Sequence, residues 1–251
     1  MSPLQAGWTA RVGGGRFGCM RLWPGTSGFS YKEWKGSFYP EDLPDSGMLA
    51  WYAERFPAVE INNTFYRMPS RKLLEGWAEQ VPEGFRFALK ASRKITHQKK
   101  LADASDEVAY LAETSRALGS RLGPTLVQLP PWLKKDVPLL AAFLSLLPAD
   151  FPVALEFRSS SWFDDEVYAA LEDRGAALVV SDTGKGDPPV VRTATFGYAR
   201  LRRVEYGDAD LEAWAERLAA PGWDDLFAFF KHEDEATGPR LAATFRELVE
   251  A

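Results

Sequence analysis

Glu60 and Glu156 are the residues of this chain best suited to acid or base work, and each stands at the same point of a local pattern. Glu60 lies in VEINNTFYRMPS (Val59–Ser70), which begins as a strand and ends as a loop. Side chains of a strand alternate between its faces, so Val59 and Ile61 point one way and Glu60 and Asn62 the other. A buried parallel strand is usually a continuous apolar run. A carboxylate and an amide on its inner face, just before the chain turns out, therefore mark a site. Ala154, Glu156 and Arg158 repeat the pattern, and Arg86, Ala88 and Lys90 repeat it with a cation. A second carboxylate nearby raises the pKa of a carboxyl group, and a nearby arginine lowers it. The sequence leaves open which of the two prevails.

Other predicted strand ends add Gln128, Asp182, Arg200, Lys231 and His232, and Thr26 sits in the glycine-rich turn GTSG. Glu60, Glu156 and Asp182 are the candidate catalytic residues. Lys90, Arg158 and Arg200 are candidates to hold an anionic group. The turn at Gly25–Gly28 could cradle an anion with backbone N–H groups. After Lys90 comes a basic loop, Arg93, Lys94, Lys99 and Lys100 with His97 among them, suited to a phosphate or a nucleic-acid backbone. A solvated charged loop is its ordinary alternative. Tyr66, Trp132 and Trp162 could present flat rings to a sugar or a nucleobase. Most of the loop aromatics read as a cap on the core, and Trp132, after two prolines, as an exposed ring.

Metal chemistry has little to draw on. The chain has two histidines and one cysteine, with no HExxH or CxxC spacing. Magnesium or manganese held between Glu60, Glu156 and Asp182 is the one metal option, and the cations nearby weigh against it. No cofactor is expected. A serine triad has no GxSxG elbow to start from.

These residues need a frame that brings many strand ends together. Short apolar strands are predicted at 22–26, 59–62, 85–90, 125–129, 153–157, 177–181, 197–201 and 226–230. Helical spacing lies between most of them, for example Val108, Leu111, Ala112, Ser115 and Leu118. After the sixth strand Thr183–Pro189 reads as loop, so the sixth helix is short or missing. In the helix after the seventh strand, Asp208 is the expected N-cap. Alternating strands and helices imply a parallel α/β sheet, and eight such units fit a single (β/α)8 TIM barrel, typically about 250 residues long. An open doubly wound sheet lacks its GxGxxG here. In barrels the active site lies at the C-terminal ends of the strands, where all the candidates fall.

The chain has 251 residues and a net charge of −5. That charge argues against a broadly basic nucleic-acid surface. No apolar run approaches the roughly 18 residues of a membrane span, so no membrane partner is expected and a cytoplasmic location is the default. Residues 1–19 are glycine-rich and read as a disordered extension, with Met20 as an alternative start and 20–251 as the barrel. Oligomeric state is not legible.

Six segments, in order, resemble a known family: GTSGFSYKEWKGSFYP, VEINNTFYRMPS, FRFALKASRKITH, LGPTLVQLPPWLKKD, ALEFRSSSWF and FFKHEDE. The resemblance is to the DUF72, or YecE-like, family. It implies a TIM barrel and no particular reaction. The family fold has been likened to endonuclease IV, which implies a nucleic-acid reading, yet that enzyme's trinuclear zinc site needs several histidines. Pro24 stands where the family usually has an aliphatic strand residue. Arg202 and Arg203 stand where many members read a histidine and a glycine.

The leading expectation is a site for a small polar or anionic ligand such as a sugar, nucleotide or phosphate ester. Glu60 and Glu156 would do proton transfer in a hydrolase or isomerase type of reaction. A nucleic-acid-binding barrel and a scaffold with a vestigial site are the alternatives.

Overall fold

Eight parallel strands form the centre of the computed structural model, which describes residues 20–232 and 234–250. The expected extension at 1–19 lies outside the described residues. β1 (Arg21–Thr26), β8 (Asp225–Phe230), β7 (Phe196–Leu201), β6 (Ala177–Asp182), β5 (Val153–Glu156) and β4 (Thr125–Gln128) pair in that order, and β2 (Ala58–Ile61) pairs with β3 (Arg86–Leu89). Isolated parallel bridges complete the ring. Ser27 bridges to Glu60 between β1 and β2, and Phe87–Leu122 and Lys90–Leu126 join β3 to β4. The ring is a TIM barrel, closed at two of its joints by isolated bridges rather than ladders.

Seven α-helices occur among the described residues: α1 (Met48–Ala53), α2 (Arg71–Ala78), α3 (Ser105–Ser115), α4 (Val137–Ser145), α5 (Asp165–Arg174), α6 (Asp208–Ala219) and α7 (Thr237–Glu250). None lies between β6 and β7, as expected from the loop-like sequence there. α6 departs from expectation at its start. Its N-cap is Gly207, whose N–H donates to Asp210 Oδ2 at 3.0 Å, so Asp210 and not Asp208 satisfies that end. Among the described residues no helix is long and apolar enough to cross a membrane.

Strand parity builds the interior. Ala58, Ala88, Ala154 and Ala177 face inward from β2, β3, β5 and β6, while Trp23, Tyr198, Phe227 and Phe229 come from β1, β7 and β8. Large rings from one side thus fill space left by alanines on the other, as a barrel interior requires. At the floor, Trp23 stacks on Phe227 with centroids 5.7 Å apart and donates its indole N–H to Asp225 at 2.7 Å. The opposite strand faces, with residues such as Val59, Ile61, Val180 and Leu201, pack under the helices.

Pro24 is tolerated because of the same alternation. Arg21 and Ser27 donate their N–H groups to β8, so residues of that parity serve the β8 ladder. Pro24 has the other parity and faces β2, where no ladder exists. There the Tyr52 hydroxyl of α1 takes over: it accepts from the Thr26 N–H at 2.9 Å and donates to the Ala58 carbonyl at 3.0 Å. Gly25 lets the two strands come this close, since a Cβ would collide with the Ala58 carbonyl oxygen. Tyr52→Phe is expected to leave that N–H and carbonyl buried without partners and to cost about 1–3 kcal/mol. An unchanged urea midpoint would show that the hydroxyl is not the tie between these strands.

Candidate functional site

At the C-terminal end of the barrel the inward positions turn from apolar to charged, and Arg200 is their centre. It reaches across from β7 with its side chain 1% exposed. Its Nε donates to Glu60 Oε2 and its Nη2 to Glu60 Oε1, both at 2.8 Å, while Nη1 donates to Glu156 Oε2 at 2.6 Å. The two-point pairing with Glu60 is the geometry a guanidinium favours with a carboxylate. Each remaining carboxylate position also has a donor. Tyr198 Oη donates to Glu60 Oε2 at 2.8 Å and Asn62 Nδ2 to Glu60 Oε1 at 3.2 Å. Gln128 Nε2 donates to Glu156 Oε2 at 2.8 Å and Ser181 Oγ to Glu156 Oε1 at 3.2 Å. Arg202 Nη2 completes the set, 3.4 Å from Glu156 Oε1.

Burial pushes both glutamates up, but the Arg200 guanidinium more than reverses it. Glu156 is held down to about 2, with Arg202 and the Gln128 hydrogen bond assisting. Glu60 is likewise held below its ordinary value. Both are carboxylates with their acceptor positions occupied. The residues expected to transfer protons are thus held ionised near neutral pH, as the counter-charge that keeps Arg200 in the barrel. Arg200 itself is raised, Glu60 and Glu156 overcoming its burial.

Lys90 behaves differently. Burial and the Arg200 guanidinium lower its ammonium to about 8, against the opposing pull of Glu60 and Glu156. Its Nζ donates to Gln128 Oε1 at 2.9 Å and lies 4.6 Å from the centroid of Phe65. His97 touches the same ring, with centroids 5.1 Å apart, and its Nδ1 is 2.8 Å from the Thr96 hydroxyl. Burial, then Lys90, Arg158 and Arg93, lower the His97 imidazolium. Arg158 is exposed and has no ion pair among the described residues. Arg202 keeps its Nε without a partner among them.

Asn62, Lys90, Gln128, Arg158 and Arg200 thus assemble with the two glutamates, and His97 stands beside them. Lys231 follows the inward parity of Phe229 at the end of β8. Tyr66 and Trp132 are exposed, at 72% and 53%, with Lys100 Nζ 5.3 Å from the Trp132 ring centroid.

Four candidates do not join the cluster. Asp182 has the parity of Leu178 and Val180, so it faces the helices and accepts from Tyr206 at 2.9 Å, Trp214 at 3.0 Å and Arg203 at 3.2 Å. The three carboxylates therefore do not form one donor set for a divalent ion. Thr26 is buried, its hydroxyl between the Gly28 carbonyl at 2.6 Å and Tyr52 Oη at 3.0 Å. The GTSG turn is closed over by Tyr31, whose hydroxyl donates to the Ser27 carbonyl at 2.7 Å, rather than opened as a cradle. Trp162 is fully buried, stacked on Phe157 at 4.8 Å with its N–H donated to the Leu133 carbonyl. His232 turns outward, its Nε2 donating to the Arg203 carbonyl at 2.5 Å.

Tyr198, Ser181, Arg202 and Phe65 were not among the candidates. The first three share inward parity with Arg200 or Val179, which is the signal that finds them. The basic loop is partly neutralised, because Lys94 and Lys99 both clamp Glu107, at 2.6 and 2.7 Å. Two open grooves elsewhere, of 460 Å³ beside Phe38 and Arg240 and of 600 Å³ beside Asp182 and Arg217, share no residue with the cluster.

Barrel and mouth together define a (β/α)8 protein with a charged centre at the C-terminal face of its strands. The chain belongs to the DUF72 family, described as a protein of unknown function, whose model matches residues 23–251. It is 28% identical over 214 residues to the UPF0759 protein YunF of Bacillus subtilis, covering 79% of this chain and 75% of that protein. The UPF0759 protein YecE of Escherichia coli K12 is 31% identical over 141 residues, 54% of this chain and 52% of the relative. The crystal structure of a DUF72 family protein from Thermotoga maritima superposes with a TM-score of 0.78 at 27% identity, covering 92% of this chain and 99% of that one.

Arg200→Met is expected to leave two buried carboxylates uncompensated and to cost about 3–5 kcal/mol in urea unfolding. Arg200→Lys should recover little, since an ammonium cannot bind Glu60 at two points. The pH dependence follows from Glu156. Its contribution is complete above the ordinary carboxyl value of 4.5 and is lost as pH falls from there toward about 2. Glu156→Gln should be less stable at pH 7 and should decline less steeply below pH 4.5. Parallel pH profiles for the two proteins would contradict the assignment.

Proposed function

We propose that the mouth of this barrel binds a small anionic ligand, a phosphate ester or a nucleotide being the class that fits best. The observation that carries this reading is the excess of positive charge left once Arg200 has met its partners. Two carboxylates face Arg200, Arg202, Arg158 and Lys90. Glu60 and Glu156 are engaged by Arg200, so the exposed Arg158 and the part-exposed guanidinium of Arg202 are the cations left to meet an incoming anion. Guanidinium groups suit phosphate oxygens because their donors form a planar fork. Tyr66 and Trp132 stand exposed on the loops after β2 and β4, at the same end of the barrel, as stacking faces for the rest of the ligand.

The nucleic-acid reading has less support. Lys94 and Lys99 are committed to Glu107, and the chain as a whole is acidic.

A thermal-shift panel of inorganic phosphate, sugar phosphates, nucleotides and short oligonucleotides tests the proposal. A ligand at about 100 times its Kd stabilises by about 2.7 kcal/mol. The shift is expected from a small anion and should disappear in Arg158→Ala and Arg202→Ala. A shift indifferent to both variants, or none with any small anion, overturns the reading. A shift seen only with oligonucleotides, falling steeply with salt and weakened by Arg93→Ala and Lys100→Ala, would favour nucleic acid instead.

A further inference from the structure

We propose that Lys90 is a nucleophile toward carbonyl compounds, forming an imine with an aldehyde or ketone whose anionic group rests on Arg158 and Arg202. This rests on the anion reading above and adds to it the reacting group and the chemical class of the substrate. A lysine at the end of a barrel strand usually has a carboxylate to neutralise it. Lys90 has none within ion-pairing distance among the described residues, because Arg200 holds both glutamates of the mouth. Its single hydrogen-bond partner is neutral. Gln128 Oε1 accepts from Nζ at 2.9 Å, and the amide cannot turn over, since its Nε2 donates to Glu156 at 2.8 Å. An acceptor of this kind is satisfied by an amine N–H as well as by an ammonium.

The surroundings favour the neutral form. Lys90 is 9% exposed, Phe65 walls one side at 4.6 Å, and the guanidinium groups of Arg200 and Arg202 bear on it electrostatically. A desolvated amine beside other cations is the standard way to activate a lysine for attack on a carbonyl. With one N–H fixed on Gln128, the lone pair is free for a substrate in the mouth.

The step balances without an oxidant or reductant. The Nζ lone pair attacks the carbonyl carbon, forming a C–N bond as the C=O π pair moves to oxygen. A proton passes from nitrogen to that oxygen, giving a carbinolamine. The C–O bond then breaks, a second proton leaves nitrogen, and one water departs as the C=N bond forms. His97, which contacts the same Phe65 ring as Lys90, is the neighbouring base this step would use to carry the proton between nitrogen and oxygen. The neutral imine then takes up a proton from solvent, and the resulting iminium serves as an electron sink for loss of a proton or of a carbon substituent from the neighbouring carbon.

The test is reductive trapping of the full chain at neutral pH. Dihydroxyacetone phosphate is the anionic probe, dihydroxyacetone the neutral one and cyanoborohydride the reductant, with peptide mass spectrometry reading every lysine at once. Because the other lysines of the same native chain are the internal standard, no variant has to fold for the main result. Trapping at Lys90 is expected at least tenfold faster than at Lys72, Lys100 or Lys231, and the phosphate should enhance it at least tenfold over the neutral probe. Arg158→Ala should bring the ratio of the two probes' trapping rates at Lys90 down toward one. Trapping at Lys90 no faster than at Lys72 overturns the nucleophile assignment, even where phosphate still shifts the melting temperature. Fast trapping at Lys90 with equal rates for the two probes keeps the nucleophile and overturns the anion reading.

Discussion

One guanidinium holds the mouth of this barrel together. Arg200 spans from β7 to Glu60 on β2 and Glu156 on β5, with all three side chains at 1% exposure or less. Burying ions is costly, and attraction repays that cost only with near-ideal geometry and with every lone pair satisfied. Both conditions are met here. Tyr198, Asn62, Gln128, Ser181 and Arg202 exist in this arrangement as the donors that complete the two carboxylates. The triad also fixes register. Slipping β7 by one residue would turn Arg200 toward the helices and leave Leu201 among the carboxylates.

The arrangement divides the charged residues into two kinds. Glu60, Glu156 and Arg200 are locked in their ionised forms and act as permanent scaffolding. Lys90 and His97, beside them, are pushed toward neutrality by the same positive charge and by burial. Acid–base behaviour near neutral pH thus belongs to residues at the edge of the triad, while the carboxylates supply the field. The sign of a pKa shift depends on which neighbour is closest, and for both glutamates that neighbour is Arg200.

That dependence shows how far the sequence could be read. Alternation in VEINN and ALEFR correctly turned Glu60 and Glu156 inward, and strand–helix alternation disclosed the barrel and its missing sixth helix. Asp182 was misassigned because it was placed at a strand end without counting its parity from Val179. Trp162 stands among the possible ligand rings because nothing in SSSWF shows that its indole N–H meets the Leu133 carbonyl, a contact 29 residues distant in the chain. The pairing of Arg200 with two glutamates, one of them 140 positions away, is a tertiary fact that no local pattern carries. Pro24, awkward on paper, is explained once Tyr52 is seen to stand in for the bonds that β1 and β2 do not make.

Closing the ring by isolated bridges on either side of β2 and β3 has a mechanical consequence. The six-stranded arc is stitched by continuous ladders, whereas the two-stranded piece is attached by few backbone hydrogen bonds and by side chains. Segments with sparse backbone ties open first in native-state fluctuations. The stave formed by β2 and β3 bears Glu60 and Lys90, so its outward swing would widen the mouth and carry both residues with it. The guanidinium of Arg200 ties this stave to β5 and β7, so buried ion pairs carry part of the attachment that ladders carry elsewhere in the ring.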